Sequence, residues 1–283
     1  MSAEDPYALD QKLSRLLSWL RESESAVLAF SGGVDSSFLL KAMKIAGIRF
    51  LAVTGNSETV PEKALKEAIS FAELEEVPHR VITTGELQNE SFVSNPPDRC
   101  FFCKQDLFQR MGRIADEGDY RFVFDGSNAD DLNDYRPGRK AAELFDVRSP
   151  LAECGLSKQD IRLLSKNLGL ETWNKPSSPC LSSRFPYGVR ITLPLLKRVE
   201  QAEEALKMLG IAIVRVRLHG DMARIEVTEQ DMPLFFDKEI RRNITEALRK
   251  LGFCYISLDL EGFRSGGLNR LLPQEAAGSR ETL

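Results

Sequence analysis

A turn rich in glycine and serine at residues 31–37 carries the clearest chemistry in this chain. Its sequence is SGGVDSS, and it directly follows the apolar run Ala26–Phe30. Glycines let backbone N–H groups converge on one point, and a helix starting there adds its positive dipole. Ser31, Ser36 and Ser37 add hydroxyl donors. The turn is typical of an oxyanion site, most simply for phosphate, although an ordinary strand–helix connector has a similar composition.

The same turn lacks the G-x-x-x-x-G-K-[ST] pattern of a Walker A loop. It resembles instead the pyrophosphate loop of the ATP-pyrophosphatase group, whose members activate substrates by adenylylation. The pyrophosphate end of ATP would then be held by Ser31, Gly32, Gly33, Asp35, Ser36 and Ser37. Asp35 has two interpretations, since it could bind Mg²⁺ indirectly or cap the helix.

A second polar loop, residues 125–138, follows the apolar run Phe122–Phe124. Adjacent carboxylates are hard oxygen ligands suited to Mg²⁺, and an arginine can neutralise a phosphate. A solvated surface turn is the alternative, but a position after a buried strand favours a site. Together with Thr54 at the end of another apolar run, the nucleotide-binding candidates here are Gly126, Asn128, Asp130, Asp131 and Arg136.

Five cysteines form the next set of candidates. Cys100 and Cys103 make a C-x-x-C, which is compatible with a redox pair, half a zinc site or half an iron–sulfur site. Cys180, in a loop rich in proline and serine, is the best third partner or could itself be a nucleophile or sulfur donor. Nearby Lys175 and Arg184 would favour its thiolate. The other two, Cys154 and Cys254, are expected to be packing residues.

A basic strand supplies the last candidate site. Arg215 and Arg217 alternate along one predicted strand and therefore share a face, to which Arg224 is added by the next strand. Such a face is a plausible phosphate clamp. A solvent-facing surface with ion pairs is the alternative.

The elements that must position these residues alternate between strand and helix over the first part of the chain. We predict six helices and four strands there, at Leu9–Arg21, Ala26–Phe30, Ser36–Ala46, Phe50–Thr54, Pro61–Glu75, His79–Ile82, Lys104–Asp116, Phe122–Phe124, a short helix from Arg139, and Leu156–Leu168. This order indicates a parallel sheet covered by helices on both faces. Ligands bind such sheets at the carboxyl ends of the strands, where the polar loops fall.

The remainder of the chain has a different pattern. We predict a helix at Leu193–Leu209, strands at Ile213–His219 and Ala223–Val227, a helix at Met232–Leu251 and a strand at Phe253–Leu258. The fold class is thus α/β with a smaller C-terminal α+β domain. The expected domains are residues 1–170, a linker at 171–190 carrying Cys180, a second domain at 191–272, and a polar tail at 273–283.

Composition limits the class of protein. Of 283 residues, 42% are hydrophobic and 28% charged, which is typical of globular proteins. The net charge of -4 argues against a long nucleic acid as partner, and no apolar stretch reaches the ~20 residues needed to span a bilayer. The N-terminal residues lack a signal-peptide core, so we expect a cytoplasmic protein with no membrane partner.

Six segments in order resemble one family, LarE, the ATP-dependent sulfur transferases that make the nickel-pincer nucleotide cofactor of lactate racemase. They are SGGVDSS, DGSNADDLNDYRPG, the SPL at 149–151, PCLSSRFPYG at 179–188, VRVRLHGDMARIEV at 214–227 and EGFRSGG at 261–267. The resemblance spans residues 9–269. It implies a PP-loop (adenine nucleotide alpha hydrolase-like) domain that adenylylates carboxylates of pyridinium-3,5-biscarboxylic acid mononucleotide and releases pyrophosphate, with Mg²⁺ present. Sulfur then replaces AMP to give thiocarboxylates.

The resemblance also implies roles for the cysteines and the basic strand. One branch of the family sacrifices the sulfur of the cysteine that matches Cys180. Another branch adds a C-x-x-C and binds a [4Fe–4S] cluster, so we expect the cluster here, held by Cys100, Cys103 and Cys180. Arg215 and Arg217 match the substrate-phosphate site, and Glu203 is a weaker catalytic candidate. A homo-oligomer, and sulfide or a sulfur-donor protein as partner, are further expectations.

Other activities share parts of this pattern. A tRNA thiolase combines a pyrophosphate loop with three cysteines, but it would be expected to show a basic surface or paired C-x-x-C motifs. An amide-forming ligase would share the ATP loop without needing the cysteines. A nucleotide-sensing or metal-binding module would not be an enzyme, whereas the carboxylates of Asp35, Asp130 and Asp131 favour catalysis. The sequence does not identify the sulfur source or the downstream enzyme.

Overall fold

In the first part of the molecule, the residues of one strand pack alternately on the two faces of a sheet. The computed structural model describes residues 6–133, 137–176 and 179–264. In strand β1 (Ser25–Ala29), Ala26 and Leu28 pack into one apolar cluster, whereas Val27 and Ala29 pack into another. Because successive strand residues point to opposite faces, both faces of the sheet are buried.

The sheet itself has four parallel strands in the order β3-β2-β1-β4. The remaining strands are β2 (Arg49–Asn56), β3 (His79–Thr83) and β4 (Phe122–Phe124). The helices that accompany them are α1 (Pro6–Ser23), α2 (Val34–Ala46), α3 (Glu62–Leu74), α5 (Arg99–Glu117), α6 (Gly138–Leu144), α7 (Pro150–Glu153) and α8 (Lys158–Asn167), with α4 (Glu90–Val93) before α5. The predicted parallel α/β sheet is confirmed.

The C-terminal part forms a three-stranded mixed sheet in the order β5-β6-β7. Its strands are β5 (Val214–His219), β6 (Met222–Val227) and β7 (Tyr255–Leu258), with helices α9 (Leu193–Met208) and α10 (Lys238–Lys250). β5 and β6 are antiparallel, and β6 and β7 are parallel. This confirms the predicted small α+β domain.

Two predicted helix boundaries were wrong. Helix α5 begins at Arg99 rather than at Lys104, so both cysteines of the C-x-x-C lie in its first two turns. The predicted helix 232–251 is interrupted at Asp237, whose carboxylate accepts the amides of Glu239 and Ile240 and so starts α10 afresh. Residues 232–236 form a separate 3₁₀ turn.

Contacts divide the chain into two units, residues 1–86 with 98–178, and residues 87–97 with 179–283. The short segment 87–97 joins the second unit because its backbone is bound there. The carbonyl oxygens of Val93 and Asn95 accept the amides of Ile191 and Gly188 at 2.8 and 2.9 Å. The expected tail, 273–283, lies outside the described residues. No helix within the described ranges is long and apolar enough to cross a membrane.

Candidate functional site

The glycine-rich turn connects β1 to α2, as its composition predicts. Gly32 adopts φ +66°, a conformation that favours glycine, and a Cβ atom there would lie 2.9 Å from the Cα atom of Ala68 in α3. Gly33 is the N-cap residue of α2 and provides no capping side chain. The turn is therefore closed by backbone geometry, which leaves the amides at the start of α2 directed toward the turn.

The serine hydroxyls of the turn face one another. Ser31 Oγ and Ser36 Oγ are 3.1 Å apart, and the amide of Ser31 donates to Ser36 Oγ at 3.3 Å. Ser37 is fully buried and its hydroxyl has no hydrogen-bond partner among the described residues. The predicted hydroxyl donors are thus gathered at one place.

Asp35 lies in the first turn of α2 but does not cap it. Its Oδ2 atom is 2.5 Å from Lys158 Nζ, and its Oδ1 atom accepts from Asn128 Nδ2 at 3.5 Å. Of the two interpretations for Asp35, helix capping is not supported, because Gly33 is the N-cap residue and no side chain caps the helix. Binding of Mg²⁺ by Asp35 stays a prediction.

The loop after β4 packs directly on this turn. A Cβ atom on Gly126 would come within 3.1 Å of the backbone nitrogen of Ser36, so the two loops touch. Asp130 accepts the amide of Lys158 at 2.8 Å, and Asp131 accepts the amide of Asn128 at 3.1 Å. Both carboxylates therefore shape the loop itself.

Two nucleotide candidates remain, of which the structure describes only Thr54. Thr54 lies within β2 rather than after it, and its hydroxyl donates to the carbonyl of Phe30 at 2.8 Å and contacts His79 Nε2 at 2.8 Å. Arg136 lies outside the described residues. The structure thus brings the turn together with four candidates of the second loop, namely Gly126, Asn128, Asp130 and Asp131. Thr54 instead makes contacts between neighbouring strands of the sheet.

Lysine 175 contacts the turn, although the sequence suggested it for the Cys180 thiol. Its Nζ atom donates to the carbonyl oxygen of Gly32 at 2.8 Å and lies 2.7 Å from Glu67 Oε2. Together with Lys158, it brings a second ammonium group to a motif that contains none.

The cysteines differ in their surroundings. Cys100 is exposed, while Cys103 is half-buried and donates to Glu86 Oε1 at 3.3 Å. Cys154 is buried, and this burial raises the pKa of its thiol. The expectation that Cys254 is a packing residue was wrong, because it is exposed just before β7.

Cys180 begins a short 3₁₀ turn, residues 181–184, which the second unit holds through arginines. Arg184 Nη1 donates to the carbonyl oxygen of Cys180 at 3.3 Å, and Arg217 Nη1 donates to that of Ser183 at 2.7 Å. The cysteine segment and the basic strand β5 thus form one constellation.

Two buried bidentate ion pairs support this constellation. Arg184 pairs with Glu203 at 2.7 and 2.9 Å, and Arg217 pairs with Glu226 at 2.6 and 2.9 Å. Burial is the largest influence on the pKa of Arg184 and lowers it, but the hydrogen bonds to Glu203 and the surrounding negative charges, acting together, raise the pKa overall. Glu203 also accepts the amide of Val216 at 3.0 Å, so its carboxylate is engaged by the protein.

Arg215 has no carboxylate partner among the described residues. It is 5% exposed, and its guanidinium stacks on the ring of Phe263 at 4.2 Å. Burial, with the like charges of Arg184 and Arg217, lowers its pKa to about 10. Glu203 and Glu226 pair with the other two arginines and offset the charge of Arg215 only in part, so among the described residues Arg215 is buried without an ion pair of its own.

The sequence of this chain is similar to those of several known proteins, although no protein-family model matches it. Over 93% of its length it is 38% identical to a pyridinium-3,5-bisthiocarboxylic acid mononucleotide synthase of Lactiplantibacillus plantarum, covering 96% of that protein. The chain belongs to the LarE family. It is also 41% identical to an uncharacterised Synechocystis protein over 93% of its length, covering 99% of that protein. A third relative, uncharacterised and from Methanocaldococcus jannaschii, is 30% identical over 90% of the chain and 98% of its own length.

The three cysteines that are expected to hold a cluster belong to different units of the protein. Cys100 and Cys103 lie in the first unit, and Cys180 lies in the second. None of the three forms a disulfide among the described residues. Within the described ranges, no three cysteine, histidine, aspartate or glutamate side chains are grouped so that they could hold a metal ion. Cysteine thiolates are the donors that iron–sulfur clusters use, and the cluster stays a prediction.

Sequence reasoning missed three residues of the LarE-type site. Lys158 follows Ser157, which with Asp160 forms a capping box, and that signal could have placed a lysine at the start of α8. Glu226 lies opposite Arg215 in the β5–β6 register, as counting across the Gly220 turn could have shown. Glu67 gave no comparable signal, because its role depends on the long-range contact with Lys175.

Proposed function

We propose that this chain is an ATP-dependent sulfur transferase that converts the carboxylates of pyridinium-3,5-biscarboxylic acid mononucleotide into thiocarboxylates. The printed name of the 38% identical relative supports an enzyme that makes such thiocarboxylates. The observation that carries the proposal is the buried Arg215, which has no ion pair among the described residues and lies in the same constellation as the Cys180 segment. A buried guanidinium and a thiol in one unit of the protein support a site for an anionic substrate beside a sulfur donor.

In the activation step, a substrate carboxylate oxygen attacks the α-phosphorus of ATP, and pyrophosphate leaves. The amides at the start of α2, with Ser31 and Ser36, would bind the departing pyrophosphate. Asp35 fits Mg²⁺, since this ion usually takes one or two protein carboxylates together with phosphate oxygens and water. Magnesium would neutralise phosphate charge there when it replaces Lys158 beside Asp35.

In substrate binding, Arg215 and Arg217 would act differently. Arg217 is committed to Glu226 and to the carbonyl of Ser183, so it positions the cysteine segment. Arg215 would bind the mononucleotide phosphate, because a dianion supplies the charge that the protein does not. Glu203 would act through Arg184 rather than on the substrate.

In the transfer step, a sulfur nucleophile attacks the acyl adenylate and AMP leaves. If Cys180 is the donor, its Sγ atom forms a thioester; loss of the Cα proton and cleavage of the Cβ–S bond then release the thiocarboxylate and leave dehydroalanine. The alternative donor is a [4Fe–4S] cluster on Cys100, Cys103 and Cys180, which would supply a sulfur bound to an open iron.

Anaerobic purification, followed by iron and sulfide analysis and protein mass measurement after turnover, separates the two donors. A cluster predicts about four irons and four sulfides per chain with an unchanged protein mass. Sacrifice predicts an iron-free protein whose turnover removes one sulfur from Cys180. A Cys180→Ala protein that retains full sulfur transfer would contradict both. External sulfide or a donor protein, and a homo-oligomeric state, remain part of the proposal.

A further inference from the structure

The anion-binding turn contains no lysine of its own, yet two lysines from elsewhere reach it. Lys175 makes the closer approach to the turn backbone, with its Nζ atom 2.8 Å from the carbonyl oxygen of Gly32. Gly32 is also the residue whose positive φ closes the turn. The ammonium group therefore lies at the turn itself rather than on a neighbouring surface.

The backbone that carries Lys175 is held in place. Arg162 in α8 donates to the carbonyl oxygens of Trp173 and Lys175 at 2.9 and 3.1 Å. The amide of Lys175 donates to the carbonyl of Thr172 at 3.0 Å, which closes the 3₁₀ turn before it. The direction of the Lys175 side chain thus follows from a fixed backbone.

The Lys175 ammonium has unused binding capacity. An ammonium group has three donors, and Gly32 and Glu67 occupy two of them. The third has no partner among the residues that the structure describes. Glu67 has another cation 3.9 Å away, Lys63 Nζ in the same helix, so it stays opposed if Lys175 turns to a different anion.

We propose that Lys175 binds the β- and γ-phosphates of ATP, the part that leaves as pyrophosphate, and that Glu67 holds the ammonium until the nucleotide arrives. This inference rests on the proposed ATP-dependent function. Pyrophosphate carries several negative charges, and a lysine ammonium is a compact cation that donates in any direction. Lys175 supplies the charge that a Walker A motif would provide through its own lysine.

Equilibrium binding of inorganic pyrophosphate with Mg²⁺, measured by calorimetry at fixed ionic strength, tests the inference. We expect Lys175→Met to weaken binding at least tenfold and Lys175→Arg to retain most of it. Lys166→Met is the matched control, because Lys166 lies beside the same segment, over the Trp173 ring, without contacting the turn. This control should bind pyrophosphate as the natural protein does.

A second variant separates phosphate binding from a purely structural ion pair. If Glu67 competes with phosphate for Lys175, Glu67→Gln should tighten pyrophosphate binding several-fold. If the Lys175–Glu67 pair only fixes α3 against the turn, Glu67→Gln should weaken binding together with Lys175→Met, and that result would overturn the inference. The unfolding midpoint of each protein without ligand shows that folding is retained.

The outcomes also distinguish this inference from the function on which it rests. If the natural protein binds pyrophosphate and Lys175→Met binds it equally well, Lys175 has no phosphate role while the ATP-dependent function stands. If the natural protein binds neither pyrophosphate nor ATP, the proposed function itself fails.

Discussion

The glycine-rich turn at residues 31–37 and the cluster of Arg184, Arg215 and Arg217 are two separate candidate phosphate sites. The ion pairs at the turn are partly exposed, whereas those of the arginine cluster are buried. At the turn, Lys158 and Lys175 pair with Asp35 and Glu67 through side chains that are 21–39% exposed. In the second unit, Arg184 and Arg217 pair with glutamates whose side chains are about 5% exposed. Exposed pairs exchange partners at little cost, whereas buried pairs stay fixed.

This difference suggests a division of work. If the turn binds ATP and releases pyrophosphate as proposed, it benefits from ion pairs that open and close readily. If the arginine cluster holds the acyl adenylate for attack by sulfur, it benefits from fixed geometry. Arg215 lies in this fixed cluster without an ion pair of its own among the described residues.

Breaking a buried pair should produce the largest effect. Glu226→Ala leaves the buried Arg217 without its bidentate partner, so we expect the free energy of unfolding to fall by about 3–5 kcal/mol. Urea denaturation measures this loss. Replacing both residues by leucine should recover much of it, and a single variant as stable as the natural protein would show that the pair is not fixed.

The effect of the turn on protein stability should depend on the space around Gly32 rather than on charge. Gly32→Ala places a methyl group 2.9 Å from the Cα atom of Ala68 at a φ of +66°, and we expect a loss of about 2–4 kcal/mol. Gly155→Ala is the control, since it shares the positive φ (+73°) but has nothing within 4 Å. Equal losses in the two variants would mean that the close approach of α3 contributes nothing.

Replacing Arg215 should raise the free energy of unfolding, whereas breaking the ion pair of its neighbour Arg217 should lower it. Its pKa of about 10 lies below the ordinary value of a guanidinium, so the folded state disfavours the charged form and this cost is fully present below pH 10. One pKa unit corresponds to about 1.4 kcal/mol, and we expect Arg215→Leu to raise the free energy of unfolding by about 1–3 kcal/mol at neutral pH without ligand.

The same pKa determines how the effect of Arg215→Leu varies with pH. Above pH 10 the unfolded chain binds more protons at Arg215 than the folded chain does, so this cost to the natural protein diminishes as the pH rises. The stability advantage of the variant should therefore shrink across that range. Substrate binding should be lost at every pH. A variant that is less stable at neutral pH, like Arg217→Leu, would show that Arg215 is compensated after all.

Breaking an exposed pair should have the smallest effect on stability. Lys158→Met removes the partner of Asp35, and we expect a change below about 1 kcal/mol, because both side chains are more than a fifth exposed. Calorimetry of Mg²⁺–ATP binding by the same variant should show a change that stability does not. A loss as large as that of Glu226→Ala would remove the contrast between the two sites.

Much of this comparison could be predicted from the sequence. Periodicity placed the four strands and the turn, because each strand is a short apolar run before a polar loop. The resemblance selected Arg215 and Arg217, but it gave them equal roles. The register of β5 against β6 places Glu226 opposite Arg215, and only the side-chain contacts show that Glu226 pairs with Arg217 instead, because ion pairing depends on side-chain geometry across the sheet.

Contacts distant in sequence explain what was missed. Lys175 lies 143 residues from Gly32, and no local pattern indicates which backbone group a lysine will meet. Helix starts were also misplaced where capping competes with continuation, as at Asp237. The C-x-x-C looked like a loop because Pro96 and Pro97 precede it, yet a helix can begin directly after such a break.

The central claim is that ATP is consumed to activate a carboxylate for sulfur. The most direct measurement is an anaerobic single turnover of the natural protein with ATP, Mg²⁺, sulfide and pyridinium-3,5-biscarboxylic acid mononucleotide, with products identified by mass spectrometry. The account predicts one AMP and one pyrophosphate for each thiocarboxylate formed, and no product without ATP. Thiocarboxylate formed without AMP, or AMP formed with the carboxylate unchanged, would contradict it.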